Sequence, residues 1–233
     1  MKNYIILNGK ISTNIQGLLI QSLPPISKPR IRTQIEEIDG RDGDIVTPLG
    51  YGAYDKEFSI GLYDDFDIDE VIEYFNSEGI VTFSNEDDKY YKYQIVEQID
   101  FERLIRFRTA NVKMHVQPFK YSVEDNSKTF NITNDAIEIR NAGNIYSKPT
   151  MTITGSGDIG VYLNEIQLFQ IALGDLGSIT IDTTQMEAYN GTTLLNRYVA
   201  GNYDNFKLNV GKNTISFSGN VTKVEIENYS RWI

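Results

Sequence analysis

Apolar and polar residues alternate along most of this chain. Tyr90 to Val96, Val112 to Val116, Thr150 to Thr154, Val161 to Phe169, Ser178 to Asp182, Phe206 to Val210, Thr214 to Phe217 and Val221 to Ile226 run in period two, rich in Tyr, Ile, Val, Thr and Phe. Successive side chains of a strand point to opposite faces, so this period predicts half-buried strands. Asn8-Gly9, Asp42-Gly43, Gly155-Ser156-Gly157, Asn190-Gly191, Gly211 and Gly219-Asn220 punctuate the runs with turn chemistry. Short strands between glycine turns predict sandwiches or barrels.

One segment departs from the pattern. In Asp67 to Gly79, the apolar Ile68, Val71, Ile72 and Phe75 fall at i, i+3, i+4 and i+7, one face of a helix. Asp67 suits the N-cap, the acids after it suit the positive end of the helix dipole, and Gly79 supplies a left-handed stop. The prediction is a helix over 67–78.

The polar stretch Glu124-Asp125-Asn126-Ser127-Lys128 comes after Val116 to Tyr121 and predicts a domain boundary, with one domain over 1–123 and a second over 124–233. Residues 34–56 read as a long polar hairpin arm that packs poorly on its own domain. Its candidate contacts to a neighbouring subunit are Asp39, Arg41, Asp42 and Asp44 near the turn, with Tyr51 and Tyr54 as anchors.

Composition narrows the function classes. The 233 residues contain no cysteine and a single histidine, His115. Disulfide frameworks, thiolate catalysis and ordinary zinc sites are therefore excluded, and no metal or cofactor is expected. The formal charge is −10, and both halves are acidic: 20 acids against 14 bases in 1–123, and 12 against 8 in 124–233. Nucleic-acid binding needs clustered cations, so no sequence-specific contact to DNA is expected. The start of the chain offers only a four-residue apolar run, and no span approaches membrane-helix length, so neither a secretion address nor a membrane partner is expected.

Several strings imitate active sites. Gly155-Ser156-Gly157-Asp158-Ile159-Gly160 matches a dinucleotide fingerprint, but Val161 to Phe169 continue it with a strand pattern and not a helix, so a hairpin turn is the reading. Asp65-Phe66-Asp67-Ile68-Asp69 begins like a calcium loop, yet the sixth position is Glu70 and the twelfth Asn76. Arg103, Arg106 and Arg108, interleaved with Phe101 and Phe107, are the best candidates for a nucleic-acid surface, but with Asp100 and Glu102 alongside they read as a two-sided strand, partner-facing or salt-bridged. No acid, base and nucleophile assemble, so the chain is read as a non-enzyme.

Asp39-Gly40-Arg41-Asp42-Gly43 ahead of a tyrosine-bearing arm, a capped helix feeding a strand, and Val116-Gln117-Pro118-Phe119-Lys120-Tyr121 closing the first domain form an ordered set. Asn141-Ala142-Gly143-Asn144, Lys148-Pro149-Thr150, Ile179 to Asp182, Gly211-Lys212-Asn213 and the terminal Arg231-Trp232-Ile233 complete it. This set resembles the distal tail protein (Dit) family of long-tailed phages and prophages of Gram-positive bacteria, over essentially the whole chain. The resemblance implies a mainly β protein: an N-terminal β-sandwich with one helix and an extended hairpin arm, then a galectin-like, jelly-roll β-sandwich. It implies a homo-hexameric ring in the virion, made in the host cytoplasm, that joins the tail tube protein to a tail-associated tip protein and receptor-binding proteins and leaves a channel for DNA. The net charge of −10 fits either an acidic lumen along which DNA slides without sticking or a solubility device. The alternative is a galectin-like carbohydrate-binding adhesin, with Tyr189, Tyr198 and Tyr203 as saccharide contacts.

Overall fold

A computed structural model describes residues 2–75, 77–124, 126–133 and 135–233. The chain is mainly β and divides into two compact units, Met1–Val123 with Ile233, and Glu124–Trp232.

The first unit contains β1 (Ile5–Leu7), β2 (Lys10–Ile11), β3 (Leu18–Ile20), β4 (Ile31–Glu36), β5 (Ile45–Tyr51), β6 (Tyr54–Leu62), α1 (Ile68–Tyr74), β7 (Glu78–Phe83), β8 (Lys89–Gln94), α2 (Phe101–Phe107) and β9 (Thr109–Ser122). The main sheet is antiparallel, in the order β2-β1-β7-β8-β9-β6-β3. Alternation decides which face is inside: along β9, Ala110, Val112, Met114 and Val116 are buried while Asn111 and Gln117 face solvent. These side chains join Ile5, Ile60, Val81, Phe83 and Tyr91 in one core. A bulge interrupts the β8–β9 ladder where Tyr91 opposes Lys120 but Tyr93 opposes Val116, and Pro118, which lacks a donor, sits in that irregular step.

The helix over 67–78 is present but shorter. Asp67 accepts hydrogen bonds from the amides of Asp69 and Glu70, and α1 ends at Tyr74. Its buried face is rotated from the expected one. Val71, Tyr74 and Phe75 are inside, and Ile72 is exposed. Tyr74 is drawn in because its hydroxyl donates to the carbonyls of Ile5 and Lys10, at 3.0 and 3.3 Å. Gly79 is not the helix stop. It lies in β7 at φ +146°, where a Cβ would collide with the Asn8 side chain. The arginine-bearing stretch read as a strand is a second helix, α2. Asp100 caps it by accepting from the Arg103 amide at 2.8 Å, Leu104 is fully buried, and left-handed Arg108 turns the chain into β9.

The second unit contains β10 (Ser127–Asn131), β11 (Ala136–Asn141), β12 (Thr150–Leu163), β13 (Ile166–Gly174), β14 (Ser178–Asp182), β15 (Glu187–Asn190), β16 (Thr193–Leu194), β17 (Val199–Gly201) and β18 (Gly211–Glu227). Two long paired strands, β12 and β18, organise it. The first half of β12 pairs β14, and its second half pairs β13; β18 likewise passes from β11 to β10. Each long strand thus serves both layers of a sandwich and bends at the corner between them. The core between the layers includes Ile153, Val161, Phe169, Ile179, Phe206 and Val224.

That corner corrects the reading of Gly155-Ser156-Gly157 as a hairpin turn. The glycines lie inside β12, at register shifts of its ladder with β18. A Cβ at Gly155 would fall 2.2 Å from the Asn220 carbonyl oxygen, and one at Gly219 equally close to that of Asp158. Both backbones need glycine to cross so closely. The hairpin lies further on, inside the run read as one strand from Val161 to Phe169. Asn164 and Glu165, both at positive φ, turn β12 into β13. Phe206 to Val210, also read as a strand, is irregular apart from a bridge between Leu208 and Ser147.

Candidate assembly surface

β4 and β5 form a two-stranded sheet of their own, joined through the turn around Gly40 and Gly43, both at φ +80°. Every residue from Ile31 to Gly50 is exposed except half-buried Ile45. An isolated two-stranded hairpin is marginally stable in water, so a bare one requires a firm root or a partner.

The root is firm. Tyr51, at the end of β5, meets Phe119 of the β9 bulge edge to face with ring centroids 5.5 Å apart, and the Gly52 amide donates to the Arg30 carbonyl at 2.9 Å. Below this, a buried charged cluster holds the segment leading into β4. The Lys56 ammonium, on a residue only 3% exposed, donates to the Pro25 carbonyl at 2.9 Å and lies over the ring of Tyr91, with Phe83 and Tyr54 around it. Asn85 donates to the Pro24 carbonyl, and Tyr54 to that of Ser27. Glu86 accepts from Lys120 at 2.8 Å and from the Tyr91 hydroxyl at 2.5 Å.

Burial disfavours the charged form of Lys56, and its pKa is pushed down to about 8. Burial alone would raise the Glu86 carboxyl, but the bonds from Lys120 and Tyr91 outweigh it and hold the group below its ordinary value. Burial raises the Tyr91 hydroxyl, and its bond to the Glu86 carboxylate adds to the shift.

Beyond the root, the arm has two unlike faces. Residues opposite one another in an antiparallel pair share a face. Ile31 opposes Tyr51, Thr33 opposes Pro48 and Ile35 opposes Val46; Arg32, Gln34 and Glu36 lie on the other face with Gly50, Thr47 and Ile45. One face is therefore an apolar stripe in open solvent, with Ile35 58% and Val46 56% exposed. The tip is acidic: Glu36, Glu37, Asp39, Asp42 and Asp44 stand against Arg41 alone.

The candidate contact residues separate accordingly. Asp39, Arg41, Asp42 and Asp44 are exposed at the tip, Tyr51 belongs to the root, and Tyr54 begins β6, half-buried beside Lys56. The stripe of Ile31, Ile35, Val46 and Pro48 escapes the polar reading of 34–56. Its signal is the alternation Ile31-Arg32-Thr33-Gln34-Ile35, which begins three residues before the arm's expected start.

The remaining named residues have local roles. Arg108 stacks on Phe66 at 4.6 Å and Arg106 pairs with Glu102 at 3.5 Å. His115 Nδ1 lies 2.7 Å from Asp55, which also meets Lys113; hydrogen bonds from His115 and Lys113 hold the Asp55 carboxyl below its usual range. Tyr189, Tyr198 and Tyr203 are all half-buried. Tyr203 packs on Phe169 at 5.4 Å and Tyr198 stacks with Arg197. Among the described residues no cluster of acids, histidine or cysteine fits a metal ion, and no helix is long and apolar enough to cross a membrane.

No protein-family profile matches the sequence, and no curated protein matches it. Solved structures do. The crystal structure of SPP1 Dit, described as a paradigm of the hub adsorption apparatus in phages infecting Gram-positive bacteria, matches with a TM-score of 0.67 at 16% identity, covering 100% of both chains. A chain of the phage P2 baseplate in its calcium-activated conformation matches at 0.58 and 12% identity, over 100% of this chain and 98% of the other. The strontium-activated baseplate matches at 0.50 and 13%, over 96% and 97%. Over its whole length, this chain has the fold of the SPP1 Dit protein.

Proposed function

We propose that this protein is a structural component of a phage tail tip, a distal tail protein whose copies close into a ring through the β4–β5 arm. The observation that carries this reading is the apolar face of the arm. A rigidly rooted ribbon with Ile31, Ile35, Val46 and Pro48 in water is suited to burial against another subunit. Head-to-tail contacts between copies close into a ring when the rotation divides a full turn, and six copies is the number that the family resemblance implies. The tail tube protein and a tail-associated tip protein are the partners expected above and below. The acidic balance of the chain suits a channel that DNA crosses without adhering.

Negative-stain microscopy of the full chain and of a variant lacking residues 31–51 tests this. Rings are expected from the full chain and single particles from the deletion. Single particles from both, at tens of micromolar, would refute the reading.

A further inference from the structure

Helix α2 presents the second unusual surface of the first unit. Phe101 and Leu104 turn inward, and Glu102, Arg103, Ile105, Arg106 and Phe107, around the rest of the helix, are all exposed, with Arg103, Arg106 and Phe107 on one side of it. Phe107 is 67% exposed, and Val96, on the loop leading to the helix, is nearly as bare. A shallow depression of about 280 Å³ runs beside Arg103, Arg106 and Phe107 and is bounded by Asp100 and Glu102. Phe101 and Leu104 secure the packing of α2, and Phe107 takes no part in that core.

We infer that this face of α2 is the docking site for the arm tip of a second copy, an inference that rests on the ring-forming reading above. The two surfaces complement each other in both chemistries. The outer arm offers Ile35, Ile38 and Val46 with the acids Glu37, Asp39, Asp42 and Asp44; α2 offers Phe107 with Arg103 and Arg106. Potentials of opposite sign steer encounter and fix register, while the apolar pairs supply the burial.

Topology directs the contact to another molecule. The arm joins the β6–β9 ladder where Tyr54 opposes Val116, whereas α2 enters it where Thr109 opposes Gly61. Seven residue steps separate those ends, roughly 23 Å along the strands. Both surfaces are bare within one chain, so neither satisfies the other at home. Two different patches of one unit, meeting between copies, make a head-to-tail contact.

Charge reversal tests the assignment on the full chain. R103E/R106E is expected to raise the concentration for half-assembly about tenfold or more, since like charges then face each other. D39K/D42K on the arm is expected to do the same, and one chain carrying all four changes is expected to regain assembly. Because all four positions are exposed, far-ultraviolet circular dichroism should be unchanged; F107S, which keeps the charges, should weaken assembly independently. Loss in each separate variant with recovery in the combined one supports the docking. Intact assembly of R103E/R106E and F107S, alongside loss on arm deletion, would overturn it while leaving the ring reading in place. Failure of the unmodified chain to assemble would overturn both.

Discussion

Tyr51 and Phe119 come together edge to face, 5.5 Å apart, because a bulge at Pro118 turns Phe119 out of the β8–β9 ladder toward the foot of the arm. That contact joins the free-standing hairpin to the body of its unit. Replacing Phe119 with alanine should therefore cost about 0.5–1.5 kcal/mol beyond the lost area. Urea unfolding measures the cost. Hydrogen exchange at the Gly52 amide, which bonds Arg30, should accelerate at the same time.

The Lys120–Glu86 pair is almost wholly buried, with side chains 7% and 11% exposed. Lys120→Met should destabilise the fold by about 3–5 kcal/mol, because it removes the cation hydrogen-bonded to a buried carboxylate. Adding Glu86→Gln should recover part of that loss. A double-mutant cycle in denaturant reads both values.

Lys56 makes stability depend on alkaline pH. Its folded pKa is about 8, against an ordinary value of 10.5. Between those values the unfolded chain binds more protons, so this group's contribution to stability is absent below pH 8, grows as pH rises, and is complete above 10.5. The slope approaches about 1.4 kcal/mol per pH unit. Tyr54 and Tyr91, whose pKa values are raised, begin to titrate in the unfolded chain near pH 10, so the window to measure is about pH 8 to 9.5. Chemical denaturation of the wild type minus that of Lys56→Met should show the rise; a flat difference would contradict the burial of this ammonium.

At the sandwich corner, Gly155→Val should destabilise the second unit by about 1–3 kcal/mol or more, since the new Cβ meets the Asn220 carbonyl. The same substitution at Gly157, where a Cβ meets nothing within 4 Å, carries only the strain of φ +73°. Thermal melts of the two variants compare crowding with strain.

Much of the fold is legible in the sequence because burial on one face of a strand leaves period two behind. β9, with Ala110, Val112, Met114 and Val116 inside, is the plainest case. The failures have physical causes. α2 spans seven residues, too few for a 3.6-residue period to stand out from alternation, and only the Asp100 cap with Phe101 and Leu104 three apart marks it. The turn at Asn164-Glu165 puts glutamate where a left-handed residue is usually glycine, so the run reads as continuous. The arm reads as polar because its acids crowd the tip, whereas its apolar residues share a face only once β4 and β5 are paired in register.

Ring formation requires that this apolar face be covered by another copy of the chain. Native mass spectrometry of the unmodified protein and of Ile35→Glu/Val46→Glu tests that requirement most directly, because both positions are exposed and neither supports the core. One closed oligomer of fixed stoichiometry is expected for the unmodified chain, and monomers for the variant. A monomeric unmodified chain, or the same oligomer from both proteins, would contradict it.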